Sequence, residues 1–62
     1  MKVRLIKPNG EIALTEEFEK SVDAKSRYAR LVDACQKDQW FGARVQCLDA
    51  ADRIVREGVI SN

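Results

Sequence analysis

Apolar and polar residues follow one period near the start of this chain and another beyond it. Lys2-Val3-Arg4-Leu5-Ile6-Lys7 and Glu11-Ile12-Ala13-Leu14-Thr15 flank Pro8-Asn9-Gly10. Two short runs of β-type residues around a turn rich in Pro, Asn and Gly read as a hairpin. Pro8 suits the second position of a type I turn, and Gly10 then takes the left-handed bulge position. That register sets Lys7 against Glu11 and Ile6 against Ile12. A strict two-residue Asn9-Gly10 turn pairs Leu5 with Leu14 instead. A slip of one residue exchanges the two faces, so the alternation leaves open which of Val3, Leu5 and Ile6 points inward.

Beyond this segment the spacing becomes helical. Thr15 reads as an N-cap, with Glu16 and Glu17 at the positive end of the dipole. Phe18, Val22, Tyr28, Ala29, Leu31, Val32 and Cys35 fall on one arc. Charged residues fill the other side, with Glu16–Lys20, Asp23–Arg27 and Asp33–Lys37 at the favourable i,i+4 spacing. Ser21 offers an alternative cap at a break near Ser21-Val22-Asp23. Asp38 reads as the cap of a second helix whose arc takes Phe41, Val45, Cys47, Leu48, Ala51, Ile54 and Val55. Gly42 weakens its first turn by about 1 kcal/mol relative to alanine. Arg53 and Arg56 suit its last turn, and Gly58 fits the C′ position of a Schellman motif with Val59 against Ile54. A short turn makes the helices antiparallel, which sets Lys25 opposite Asp52 and Asp33 opposite Arg44.

The expected fold is therefore α+β: a two-stranded antiparallel hairpin followed by an antiparallel two-helix hairpin, ββαα. Residues 1–62 form a single domain, divided into a hairpin at 1–14, helices at 15–37 and 38–57, and a tail at 58–62. Val59-Ile60 folding back as a third strand is the competing arrangement. The sequence shows no repeats, linkers or low-complexity stretches.

Composition adds constraints. A chain of 62 residues buries too little surface for comfortable stability and draws on disulfides, metals or oligomers. Cys35 and Cys47 are its two cysteines and histidine is absent, so a closed four-ligand zinc site is excluded. No metal or cofactor is expected, and the three glycines at 10, 42 and 58 build no phosphate-cradling motif. Met1–Lys7 lacks the apolar core of a secretory signal, and no apolar run approaches the ~20 residues of a membrane span. These features lead to a cytoplasmic protein with reduced thiols and no membrane, and to a homodimer as its source of added stability.

The formal charge of +1 argues against an electrostatically driven nucleic-acid binder, which should show a basic stripe. Lys25, Arg27 and Arg30 are the densest basic run, but Asp23 and Asp33 flank them, as on a solvated face. Without histidine the commonest general base is missing, and thiols on apolar faces are ordinarily inert. No catalytic residue is assigned. Trp40-Phe41 is the conspicuous local feature. With Arg44 one turn on and Tyr28 at the edge of the first arc, it has the composition of a protein-binding patch. The functional expectation is a small non-catalytic protein-binding module, a modulator, adaptor or inhibitor of a larger partner protein. The alternative is a small DNA-binding transcriptional regulator acting as a dimer. Strand-then-two-helices is also the element order of ribbon-helix-helix DNA-binding dimers. Those use one N-terminal strand per subunit, whereas Pro8-Asn9-Gly10 here builds a hairpin within the chain.

Overall fold

The computed structural model describes residues 1–62. Five elements follow one another: β1 (Lys2–Ile6), β2 (Ile12–Glu17), α1 (Ser21–Lys37), β3 (Arg44–Leu48) and β4 (Ile54–Val59). The strands form one antiparallel sheet in the order β2-β1-β3-β4, and α1 lies across its central strands. The architecture is ββαββ. No helix is long and apolar enough to cross a membrane.

The first hairpin closes through the bulged turn. Gly10 N donates to Lys7 O at 2.9 Å and Lys7 N to Glu11 O at 2.8 Å. Gly10 takes φ +94°, which only a residue without Cβ adopts freely. Ile6 pairs with Ile12, and a second irregularity then brings Leu5 opposite Leu14. Both pairings considered from the sequence thus occur in one hairpin, because Ala13 is an extra residue between them. Val3 and Leu5 are buried, while Ile6 lies on the other face.

The second helix does not exist. Residues 38–57, expected as helix, form the C-terminal cap of α1, a loop and most of a second hairpin, β3–β4. Asp38 is the C-cap of α1, not an N-cap. The Schellman motif is here as well, with Trp40 N donating to Cys35 O at 3.0 Å and Gln39 N to Gln36 O at 3.1 Å. Gln39 holds the left-handed position at φ +55°, so Gly58 is no helix terminator. Gly58 sits within β4, Val59 ends that strand, and Ile60 is 2% exposed, so residues 58–62 are not a free tail. At the other end α1 starts at Ser21, with Lys20 as N-cap and no side-chain cap bond. Thr15, Glu16 and Glu17 belong to β2, so the hairpin runs past residue 14.

The charge pairs follow suit. Asp52 meets Lys2 at 2.9 Å and not Lys25, and Arg27 meets Glu16 at 2.7 Å and not Asp23. Of the i,i+4 helix pairs anticipated, Asp33–Lys37 is formed, at 3.0 Å. The Asp52 carboxylate raises the Lys2 ammonium above its ordinary value by hydrogen bond and charge.

The two hairpins are copies in shape. Each strand of the second begins and ends 42 residues after its counterpart, Lys2–Ile6 against Arg44–Leu48 and Ile12–Glu17 against Ile54–Val59. The turn is copied too: Asp49 N donates to Arg53 O and Asp52 N to Asp49 O, both at 3.0 Å, with Asp52 at φ +60° in the place of Gly10. Asp49 reinforces it, accepting from the Ala51 and Arg53 amides at 2.9 and 3.0 Å. The Arg53 amide bond is the leading reason that its carboxyl titrates below the usual range. The register irregularity after Leu48–Ile54 repeats the one after Ile6–Ile12. β1 and β3 pair antiparallel with Arg4 opposite Gln46, so an approximate two-fold axis passes through that pair. In sequence only Val3/Val45 and Ile12/Ile54 are identical between the copies.

The core lies between the sheet and α1. Val3, Leu5, Val45 and Cys47 from the central strands meet Ala24, Leu31 and Cys35 from the helix, with Ala43 and Ile60 at one end. Burying a Val or Leu side chain contributes about 1.5–3 kcal/mol, so the two central strands carry most of the apolar stabilisation. Both thiols are free and buried. Burial is the main cause of a raised Cys35 pKa, with Asp38 adding to it.

Candidate functional site

The sheet leaves apolar side chains or backbone groups without a partner within the chain along both of its edges and across one face. Two of these parts carry several exposed apolar side chains. One is the open sheet face; the other is the outer strand β4 with the cleft beside it.

The sheet face turned away from α1 carries three cross-strand rows. Ile12, Ile6, Arg44 and Val59 form the first; Thr15, Arg4, Gln46 and Glu57 the second; Glu17, Lys2, Leu48 and Ile54 the third. Gln46 is buried and donates to Glu57 at 2.6 Å. Leu48 is 1% exposed although it lies outside the main core. The Arg4 Nε is shielded and has no partner.

β4 is an edge strand, so one row of its backbone groups is unpaired, a ready template for another strand. Ile54, Val55 and Val59 are each more than half exposed along it. The opposite edge, β2, is acidic at its end through Glu16 and Glu17, and Arg27 of α1 holds Glu16.

The space between α1 and β4 is a cleft of about 340 Å³ lined by Met1, Lys25, Tyr28, Cys47, Val55 and Arg56. Tyr28 forms one wall. Its hydroxyl stands over Gly58, where an added Cβ would lie 2.7 Å away. A side chain at this position would have to displace the hydroxyl. The Arg56 guanidinium rests 5.9 Å from the Tyr28 ring centre, within cation–π range. The floor is apolar and no acidic side chain lines the cleft. Neither Lys25 nor Arg56 takes part in an ion pair.

The four residues proposed from sequence are not gathered into one patch. Tyr28 faces β4 from the helix. Trp40 follows the C-terminus of α1 and packs on the core, half-buried, while Phe41 is 37% exposed in the loop that follows. Arg44 starts β3 on the face opposite the helix. Tyr28 and Arg44 are therefore separated by the sheet. Sequence reasoning missed Lys25, Val55 and Arg56 as neighbours of Tyr28. The signal available for them was the β-branched run Ile54-Val55 and Val59-Ile60, which marks a strand more than a helix.

No three or more His, Cys, Asp or Glu side chains are grouped to hold a metal ion. Comparison with known protein families, curated proteins and solved structures finds no match to this chain.

Proposed function

We propose that this chain is a non-catalytic protein-binding module, acting as a modulator, adaptor or inhibitor by pairing the free edge of β4 with a strand of a larger partner. The observation that carries the reading is an edge strand with three apolar residues more than half exposed. Added-strand recognition draws affinity from main-chain hydrogen bonds and specificity from pockets for alternate side chains. The β4 edge offers the first and the cleft beside it the second.

A second copy is a poor fit for that edge. Antiparallel pairing of β4 with itself about a two-fold axis must set some residue opposite its own copy. The two registers that overlap all but one residue of the strand place Arg56 against Arg56 or Glu57 against Glu57, and like charges directly opposite are destabilising. A strand of different sequence avoids this, so a homodimer through β4 is not the preferred assembly. The helix cations also weigh against nucleic acid. Arg27 is turned to Glu16 on the β2 side, whereas Lys25 lines the cleft on the β4 side, so they form no stripe.

Binding to the partner isolated from the native host tests this reading. Ile54→Lys and Val59→Lys, each in the full chain and with unchanged circular dichroism, should weaken it at least about tenfold. Unchanged affinity in both variants refutes the edge as the contact. Retention on random duplex DNA with affinity falling steeply as salt rises would replace this reading with the DNA-binding one. Sedimentation equilibrium reads whether a second copy covers the open sheet face instead: the 7.0 kDa chain mass excludes that assembly, and twice that mass shows a dimer.

A further inference from the structure

The approximate two-fold axis relates the helix-facing positions of β2 to those of β4, and the comparison exposes a missing charge. On β2 these positions are Leu14 and Glu16, and on β4 they are Arg56 and Gly58. On the β2 side the strand supplies an acid, Glu16, and the helix supplies a cation, Arg27, which meet at 2.7 Å. On the β4 side the position equivalent to Glu16 is Gly58. The helix again supplies a cation, Lys25, but the strand supplies another, Arg56. Both line the cleft, with no carboxylate among its walls.

Resting on the reading of β4 as a pairing edge, we propose that the cleft takes an acidic side chain from an extended segment of the partner protein, its carboxylate seated between Lys25 and Arg56. The segment runs along β4 as a fifth strand. Alternate residues of a strand point to the same face, so every second side chain of the segment faces the helix side. The apolar floor of Cys47, Val55 and Met1 receives the methylenes of a Glu stem, and the two cations receive its head. Charge-assisted bonds of this type are about twice as strong as neutral ones. The edge gives general strand affinity, and the cleft gives the preference for acid.

Three probes decide the matter: an acetylated, amidated hexapeptide alternating Val and Glu, the same peptide with Lys for Glu, and a short random duplex DNA. Each is titrated into the isotope-labelled full chain and followed by amide chemical shifts. The Val-Glu peptide should shift the β4 amides and those around Lys25. The Val-Lys peptide should bind at least about tenfold more weakly. In Lys25→Glu/Arg56→Glu the order of the peptides should reverse, and in Lys25→Gln/Arg56→Gln the two should become equal. The glutamine pair introduces no new charge and serves if the reversed pair fails to fold. Equal binding of both peptides along β4 in the unaltered chain overturns the acidic preference while leaving β4 as a pairing edge. Binding of neither peptide, shifts confined to the open sheet face, or displacement of the Val-Glu peptide by the duplex also overturns the assignment of the cleft.

Discussion

Gly58→Ala tests the packing that places α1 on β4. Gly58 lies inside a strand and shows no positive φ, so alanine can adopt its backbone conformation; what it lacks is room. The new Cβ would stand 2.7 Å from the Tyr28 hydroxyl, but 3.4 Å from Val32 Cγ2 and 3.6 Å from Tyr28 Cζ. Only the first contact is intolerable. Overpacking costs about 1–3 kcal/mol, and the hydroxyl is the movable end of a half-buried side chain, which places the cost low in that range. Replacing glycine also reduces the entropy of the unfolded chain, which returns about 0.4–1 kcal/mol. The net loss should be about 1 kcal/mol, a fall in Tm of roughly 4–8 °C for a domain of this size. Tyr28→Phe removes the offending oxygen and leaves ordinary contacts. In that background Gly58→Ala should become neutral or stabilising by up to about 1 kcal/mol. Urea unfolding of the wild type, the two single variants and the double variant completes the cycle. An equal loss in the Tyr and Phe backgrounds would show that the hydroxyl is not the obstacle, and the docking described for α1 would be wrong.

Four further outcomes follow from local geometry. Gln39→Gly should raise the urea midpoint, gaining about 0.5–1 kcal/mol, because φ +55° is a glycine position at a helix C-terminus; an unchanged midpoint counts against the motif. Lys20→Asp should add about 1 kcal/mol by supplying the missing side-chain cap of α1, read by thermal melting. Asp49 has a depressed folded-state pKa, so its contribution is complete above its unfolded value near pH 4 and is lost as pH falls through the lower folded value. Asp49→Asn should therefore flatten the stability curve below about pH 4, and an unaltered acid limb contradicts the turn. Cys35 has a raised pKa, so its contribution is complete below the ordinary thiol value and is lost as pH rises toward the folded one; folded protein at pH 8 should react with iodoacetamide only as fast as it opens.

The first hairpin was legible because its turn uses Pro, Asn and Gly, each suited to a required backbone angle. The second hairpin has the same turn written as Asp49-Ala50-Ala51-Asp52-Arg53, in which helix-forming alanines replace the punctuation and Asp52 occupies the left-handed position. Phe41, Val45, Leu48 and Val55 also fall at helical spacings, and short apolar runs satisfy both periods. Tertiary pairing of β3 with β1 decides between them. Asp38 could serve either as the start of a helix or as the end of one, and nothing local separates the two. The candidate cleft was invisible for the same reason: Lys25 and Arg56 become neighbours only when β4 is a strand. Tyr28 stands out in the sequence as an aromatic at the edge of an arc, but nothing local to it shows that it faces glycine.

The pairing of β1 with β3 has a kinetic consequence. Each hairpin closes over a few residues and helix α1 forms from local contacts, so these units assemble on microsecond scales. The most buried ladder joins Ile6 to Arg44 across the intervening hairpin arm, helix and loop. Closing a flexible loop of that length from the unfolded chain costs about 3 kcal/mol of chain entropy, and less once β2 and α1 have formed within it. On chain entropy alone the β1–β3 ladder should be the slowest pairing of the fold to form, and folding rates of Val3→Ala and Val45→Ala would test this. Any state in which that ladder is open exposes the inner edges of β1 and β3 as well as the edge of β4.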